Sequence, residues 1–264
     1  MCLTCGCDMP LAHHHDPRNI VLGQLLDAAR AVEISPEEAA ANVPKTLAYA
    51  FGNPARAFHT TWTLPTIVFD IDGTLAFMME SALTALNAAF GDDYKTSDIT
   101  VYDWPLLLPK KQRAWLRDQL TQSDLYENLA PDWRAVDTLL LAQRLGYPVW
   151  VCTERNPALH QVTSRWLELW GLSADGLATV GHGNKPAWMR RFDADKPAVL
   201  IDDNPAFEYL IPAPGVQLWS PPSPYRPNGE APPGVTRLAS WQQARDQLID
   251  ILTRDPADPG TSMP

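Results

Sequence analysis

Two aspartates, one residue apart, close an apolar run in the stretch "TIVFDIDGTLAFMM". Ile67, Val68 and Phe69 have the uninterrupted hydrophobicity of a strand buried on both faces. Asp70 and Asp72 then fall at its carboxyl end, where open α/β sheets collect their ligand-binding groups. Carboxylates forced together at a buried strand end repel one another, so a positive partner is required, and a divalent cation is the simplest one. Gly73 follows at once and lets the chain turn sharply enough for both acids to face one pocket.

The surrounding elements must present those acids. From Pro65 onward, strand-like and helix-like segments alternate, which predicts a Rossmann-like α/β domain: a parallel sheet with helices on both faces. "YPVWVCT", "ATVGHG", "AVLIDD" and "GVQLWS" read as strands. "DWRAVDTLLLAQRLG" reads as a helix stopped by Gly146, and "NPALHQVTSRWLELWG" as one capped by Asn156 and stopped by Gly171. "NPAFEYL" repeats the Asn-Pro start, with Asn204 as cap, and "SWQQARDQLIDIL" is a closing helix capped by Ser240. Between Leu75 and Pro131 the alternation stops, and an aromatic-rich helical stretch, at about 76–130, is expected to form a cap inserted over the strand ends.

With these positions in place, "DIDGTL" resembles the first motif of the haloacid dehalogenase superfamily of phosphoryl-transfer enzymes. The later motifs follow in order: Thr153 after "VWVC", Lys185 after "GHGN", and the pair Asp202 and Asp203 after "AVLI". The resemblance implies that Asp70 attacks phosphorus and becomes an aspartyl-phosphate, and that Asp72 protonates the leaving oxygen and later activates water. Thr153 would donate to a phosphoryl oxygen, and Lys185 would neutralise charge in the transition state. Mg²⁺ would be held by Asp70, the backbone carbonyl of Asp72, and Asp202 and Asp203, with Asp203 favoured as the direct ligand of that pair.

Within the superfamily the chain resembles the 5′(3′)-deoxyribonucleotidases over roughly 66–252, through "ITVYDWPLLL", "YENLAPDWRAVDTLLLAQRLGYPVWVCTERN" and "RLASWQQARDQLIDIL". That resemblance implies a small phosphorylated substrate, a nucleotide. Gly73, Thr74, Met78, Trp104 and Arg155 are the expected substrate contacts, with Trp104 and Tyr102 offering aromatic faces to a base and Phe77 placed beside Met78. The nucleotidases read DGVLADF where this chain has "DGTLAFM", so the base preference need not carry over. "TER" followed by "TSRWLE" also resembles the 3′-phosphatase domain of polynucleotide kinase-phosphatases, the alternative reading.

Composition narrows the partners. A formal net charge of −10 on 264 residues disfavours a nucleic-acid partner, because backbone binding needs clustered Lys and Arg. No apolar run is long enough to span a bilayer and no secretory pattern opens the chain, so a cytoplasmic protein is expected. Residues 1–19 form a Cys/His-rich segment. There Cys2, Cys5, Cys7 and His13 have the composition of a tetrahedral Zn²⁺ site, and a metal-dependent interaction module docking a protein partner is a further alternative. Residues 20–60 read as a helical hairpin and linker, 65–252 as the core with its cap, and 253–264 as a disordered tail. Cys152, inside an apolar strand, reads as a core residue.

Overall fold

The structure, a computed structural model, describes residues 64–253, with Ser35 alone before them. The chain divides into two units, Met1–Thr60 and Thr61–Pro264, and the described sheet and helices belong to the second. The expected Zn²⁺ ligands Cys2, Cys5, Cys7 and His13, the hairpin of residues 20–60 and the tail beyond Thr253 lie outside the described residues.

Six strands form one parallel sheet in the order β3-β2-β1-β4-β5-β6. They are β1 (Thr66–Phe69), β2 (Val149–Thr153), β3 (Gly176–Thr179), β4 (Ala198–Ile201), β5 (Val216–Ser220) and β6 (Val235–Arg237). This is the doubly wound Rossmann-like order, with the direction of winding reversing on either side of β1. In register, Phe69 stands between Val151 of β2 and Ile201 of β4. The residues that follow all three strands are therefore delivered to one edge of the sheet.

Side chains of β1 alternate between two cores. Ile67 and Phe69 join Val136, Leu139, Trp166 and Leu248 on one face, whereas Val68 joins Cys152, Met189, Phe207 and Ile211 on the other. Both faces are covered, which explains why the strand reads as continuously apolar. The helices that cover them are α4 (Trp133–Arg144), α5 (His160–Leu169) and α8 (Trp241–Thr253) on the first face, with α6 (Lys185–Met189) and α7 (Phe207–Leu210) on the second. Their capping agrees with the sequence: Asn156 Oδ1 accepts the Ala158 N–H at 3.0 Å, and Ser240 Oγ accepts the Gln243 N–H at 3.2 Å.

Two strand expectations change. β3 lies earlier than "ATVGHG", at Gly176–Thr179, because Gly181 and Gly183 take φ of +78° and +76° and turn the chain out of the sheet. β6, a three-residue edge strand paired to β5, has no counterpart among the strands expected from sequence, since a short apolar-polar alternation after a proline-rich loop carries little signal.

Between β1 and β2 the chain leaves the sheet and forms α1 (Met78–Phe90), α2 (Lys110–Gln119) and α3 (Ser123–Glu127). The two ends of this excursion are tied together. Phe77 N–H donates to Ala130 O at 2.9 Å, and Asp132 N–H donates to Leu75 O at 2.8 Å. The segment also has its own apolar centre, in which Leu83 and Leu86 of α1 meet Ile99, Trp104, Leu108 and Leu116. Trp104, expected against substrate, belongs instead to this centre at 8% exposure. A large indole on a short helical turn is worth more filling that small core than facing water.

Truncating it should therefore destabilise the fold. Trp104→Ala is expected to cost about 3 kcal/mol or more, measured by urea denaturation; a loss under about 1 kcal/mol would contradict the core placement.

Candidate active site

At the carboxyl edge of the sheet three carboxylates converge. Asp70 follows β1, and Asp202 and Asp203 follow β4. One oxygen from each lies within 4.8 Å of the others, and all three side chains are buried. The Asp70 N–H still donates to Ile201 O at 3.0 Å, so the β1–β4 ladder sets their spacing. Lys185, the first residue of α6, reaches between them: its Nζ donates to Asp70 Oδ1 at 2.6 Å and to Asp202 Oδ2 at 2.5 Å.

Charge in this site is unbalanced, with three carboxylates facing one ammonium. Burial, reinforced by the neighbouring acids and only partly offset by Lys185, holds the Asp70 carboxyl well above the usual range. Burial and Asp202 push Asp203 up to about 7, against the lowering effect of its bond from the Tyr225 hydroxyl. Burial opposes the charged form of Lys185 too, but Asp202 and Asp70 overcome it and raise the ammonium above its ordinary value.

The residues fit a divalent cation. Asp202 spends both oxygens, Oδ2 on Lys185 and Oδ1 on the Asn204 N–H at 2.9 Å. Asp203 Oδ2 accepts the Tyr225 hydroxyl, but its Oδ1 is buried with no hydrogen-bond partner. A buried carboxylate oxygen without a donor is costly, and a hard cation is the partner suited to it. Gly73, at φ +86°, turns directly over this carboxylate; a Cβ there would overlap the Asp203 oxygens. Glycine is thus required both by the conformation and by the close approach.

Asp72 is held differently. Arg155 donates through Nε to Asp72 Oδ2 at 2.9 Å and through an NH2 nitrogen to Oδ1 at 2.6 Å, a bidentate grip. Its remaining NH1 reaches Thr163 Oγ1 at 3.3 Å, and its guanidinium lies 4.4 Å from the centre of the Tyr126 ring. Arg155, expected as a substrate contact, lines the same cavity as Asp70 and Asp72, although it is only 3% exposed and its donors are spent on Asp72 and Thr163. An arginine two residues past a strand end has no signal in sequence that distinguishes a phosphate ligand from a clamp on a neighbouring acid.

These groups surround a cavity of about 260 Å³. Asp70, Asp72, Thr153, Lys185 and Asp202 line its floor, and Met78, Tyr102, Leu120 and Tyr126 of the β1–β2 segment line it as well. Met78 and Tyr102, expected as substrate contacts, are thus among the residues that line the cavity. Trp104 does not line the cavity, and Phe77 lines a separate surface groove with Glu80 and Thr84. Thr74 is buried outside the lining, whereas Thr153 Oγ1 accepts the Arg155 N–H at 3.3 Å at the cavity wall. Glu154, His182 and Phe207 also line it, and Tyr225 packs behind the lining residue Tyr102 and bonds Asp203; none of these stands out in the sequence. Glu154 could have been noticed as the neighbour of Thr153, but Tyr225, in the loop "SPPSPYRPNGE", offers no such cue. Cys152 is buried in the core, as expected, and burial pushes its thiol up to about 12.

No protein-family profile and no curated protein matches the sequence. Among solved structures, the chain is similar to a HAD family hydrolase from Deinococcus radiodurans with bound phosphate and sodium: 16% identity, 74% of this chain and 99% of that one covered, TM-score 0.48. A HAD-superfamily hydrolase from Ehrlichia chaffeensis aligns at 13% identity over 72% of this chain and 99% of that one, TM-score 0.46. CbbY from Rhodobacter sphaeroides in complex with phosphate aligns at 19% identity over 68% and 95%, TM-score 0.44. Likeness at this level carries no weight for activity, and function has to be argued from the site itself.

The electrostatics generate a measurable pH dependence. An aspartate titrates near 3.8 when unfolded, and Asp203 near 7 in the cation-free folded protein. Between those values the folded state binds the extra proton, so stability falls as pH rises through that window. The thermal midpoint of EDTA-treated protein is expected to be lower at pH 8 than at pH 5, and Mg²⁺ to raise it more at pH 8. A midpoint that ignores Mg²⁺ at pH 8 would refute the cation assignment.

Proposed function

We propose that the protein is a haloacid dehalogenase-type phosphomonoester hydrolase, dependent on Mg²⁺, that acts through an aspartyl-phosphate on a small nucleotide. The observation that carries this reading is the buried Asp70–Lys185–Asp202 arrangement beside an unpartnered Asp203 oxygen, at the floor of a cavity. Asp70, Asp203 and the backbone carbonyl of Asp72 would hold the cation, with Asp202 acting through Lys185. When bound, Mg²⁺ would supply positive charge to the phosphoryl oxygens and to the carboxylates around it.

In the first half-reaction an Asp70 oxygen forms a bond to phosphorus as the ester P–O bond breaks, and Asp72 gives its proton to the departing oxygen. In the second, Asp72 takes a proton from water, the water oxygen bonds to phosphorus, and the bond to Asp70 breaks to release phosphate. Lys185 stays against Asp70 throughout and stabilises the charge that spreads over the equatorial oxygens. Thr153 offers its hydroxyl to one of them. Arg155 fixes the direction in which Asp72 presents its carboxyl group.

The β1–β2 helical segment acts as the cap in this reading, since Met78, Tyr102, Leu120 and Tyr126 line the cavity beside the carboxylates. An aromatic face at Tyr102 suits a nucleobase. The cavity volume of about 260 Å³ suits a small monoester rather than a polymer end, and the net charge of −10 points the same way.

Two measurements test the proposal. Asp70→Asn should lower phosphate release by about a thousandfold or more while leaving cooperative unfolding in place; retention of a tenth of the activity would refute the nucleophile. A phosphate-release screen with and without Mg²⁺ should favour deoxy- or ribonucleoside monophosphates. Preference for sugar phosphates would overturn the nucleotide assignment, and preference for a 3′-phosphorylated oligonucleotide would overturn the small-substrate one.

A further inference from the structure

Asp203 has two unlike oxygens. Oδ1 lacks a partner, whereas Oδ2 receives the hydroxyl of Tyr225 from the loop between β5 and β6. That loop is pinned on both sides. Arg226, the next residue, donates from its NH2 group to Ser220 O at 3.0 Å and to Leu238 O at 2.7 Å, joining the ends of β5 and β6. The Tyr225 N–H donates to Ser223 Oγ at 3.3 Å. On its other side the Tyr225 ring packs edge-on against Tyr102, with centroids 5.3 Å apart and planes at 76°. A donor held this firmly selects one rotamer of the carboxylate it bonds.

We propose that Tyr225 is a positioning residue for the cation: it holds Asp203 through Oδ2 so that Oδ1 is kept as the ligand atom. The inference rests on the reading of the carboxylate cluster as a divalent-cation site. Partners of ligand carboxylates orient them and tune affinity through that orientation, without touching the ion. The Tyr102 contact joins this positioning to the helical segment, so one aromatic pair touches both the cation site and the wall of the substrate cavity.

The test is a Mn²⁺ titration of the metal-stripped full chain, with free Mn²⁺ read by electron paramagnetic resonance. Tyr225→Phe keeps the ring against Tyr102 and removes only the hydroxyl; its Mn²⁺ dissociation constant is expected to rise about tenfold or more. Tyr102→Phe, which leaves the bond to Asp203 in place, should bind within about twofold of the unmodified protein, far short of that second-sphere effect. A merely structural tyrosine would lower the metal-free thermal midpoint in Tyr225→Phe and leave the dissociation constant where it was, and that result overturns the inference. Equal weakening in both variants overturns it as well. Failure of the unmodified protein to bind Mn²⁺ saturably would refute the cation site itself, a different outcome from saturable binding that Tyr225→Phe does not disturb.

Discussion

Three acids and one lysine, packed where water is excluded, set the terms for the rest of the molecule. Two unit charges about 4 Å apart repel by about 4 kcal/mol at an effective dielectric near 20. One oxygen of each of Asp70, Asp202 and Asp203 lies within 4.8 Å of the others, only a little farther, and Lys185 neutralises only part of their charge. The fold supplies the confinement. β1 and β4 are hydrogen-bonded neighbours with both faces buried, so their last residues cannot splay apart without breaking the sheet. The cost of holding the acids together is therefore borne by the two cores, and a cation bound among them would lower it.

Around that cluster, each neighbouring group restricts one side chain. Lys185 takes Asp70 and Asp202, Asn204 takes the other Asp202 oxygen, and Tyr225 takes Asp203. Arg155 takes Asp72, and is itself fixed by Thr163 and the face of Tyr126. The result is a floor of acids whose directions are set by the protein's own donors. The donors come from the residues after β2 and β4, from α6 and from the β5–β6 loop, while Tyr126 and Tyr102 come from the segment that leaves the sheet after β1. That segment meets the donors through the rings of Tyr126 and Tyr102, although it keeps an apolar centre of its own.

Much of the floor is legible in the sequence because its signals are local. Asp70 follows an apolar strand directly, Asp202 and Asp203 follow another, and a strand's end is where α/β sheets place such groups. Caps at Asn156 and Ser240 are legible for the same reason: a side chain bonding a backbone group two or three residues away needs no tertiary partner. The walls are not. Trp104 and Tyr102 are two residues apart, yet one fills the helical segment's centre and the other lines the cavity, a division set by how α1 and α2 pack. Arg155 lines the cavity, but nothing near it in sequence shows that Asp72, 83 residues away, claims its guanidinium.

Sequence by itself determined the alternation that makes a parallel sheet, the acids and lysine at its edge, and the requirement for something positive among them. Those features depend on residue type and on spacing along one strand or one turn. Tertiary structure alone decided which oxygen of each carboxylate is satisfied and which is left bare. It decided also that Arg155 grips an acid, and that a tyrosine from a proline-rich loop reaches Asp203. Such pairings join residues far apart in the chain, and their geometry exists only once the sheet has brought its strand ends together.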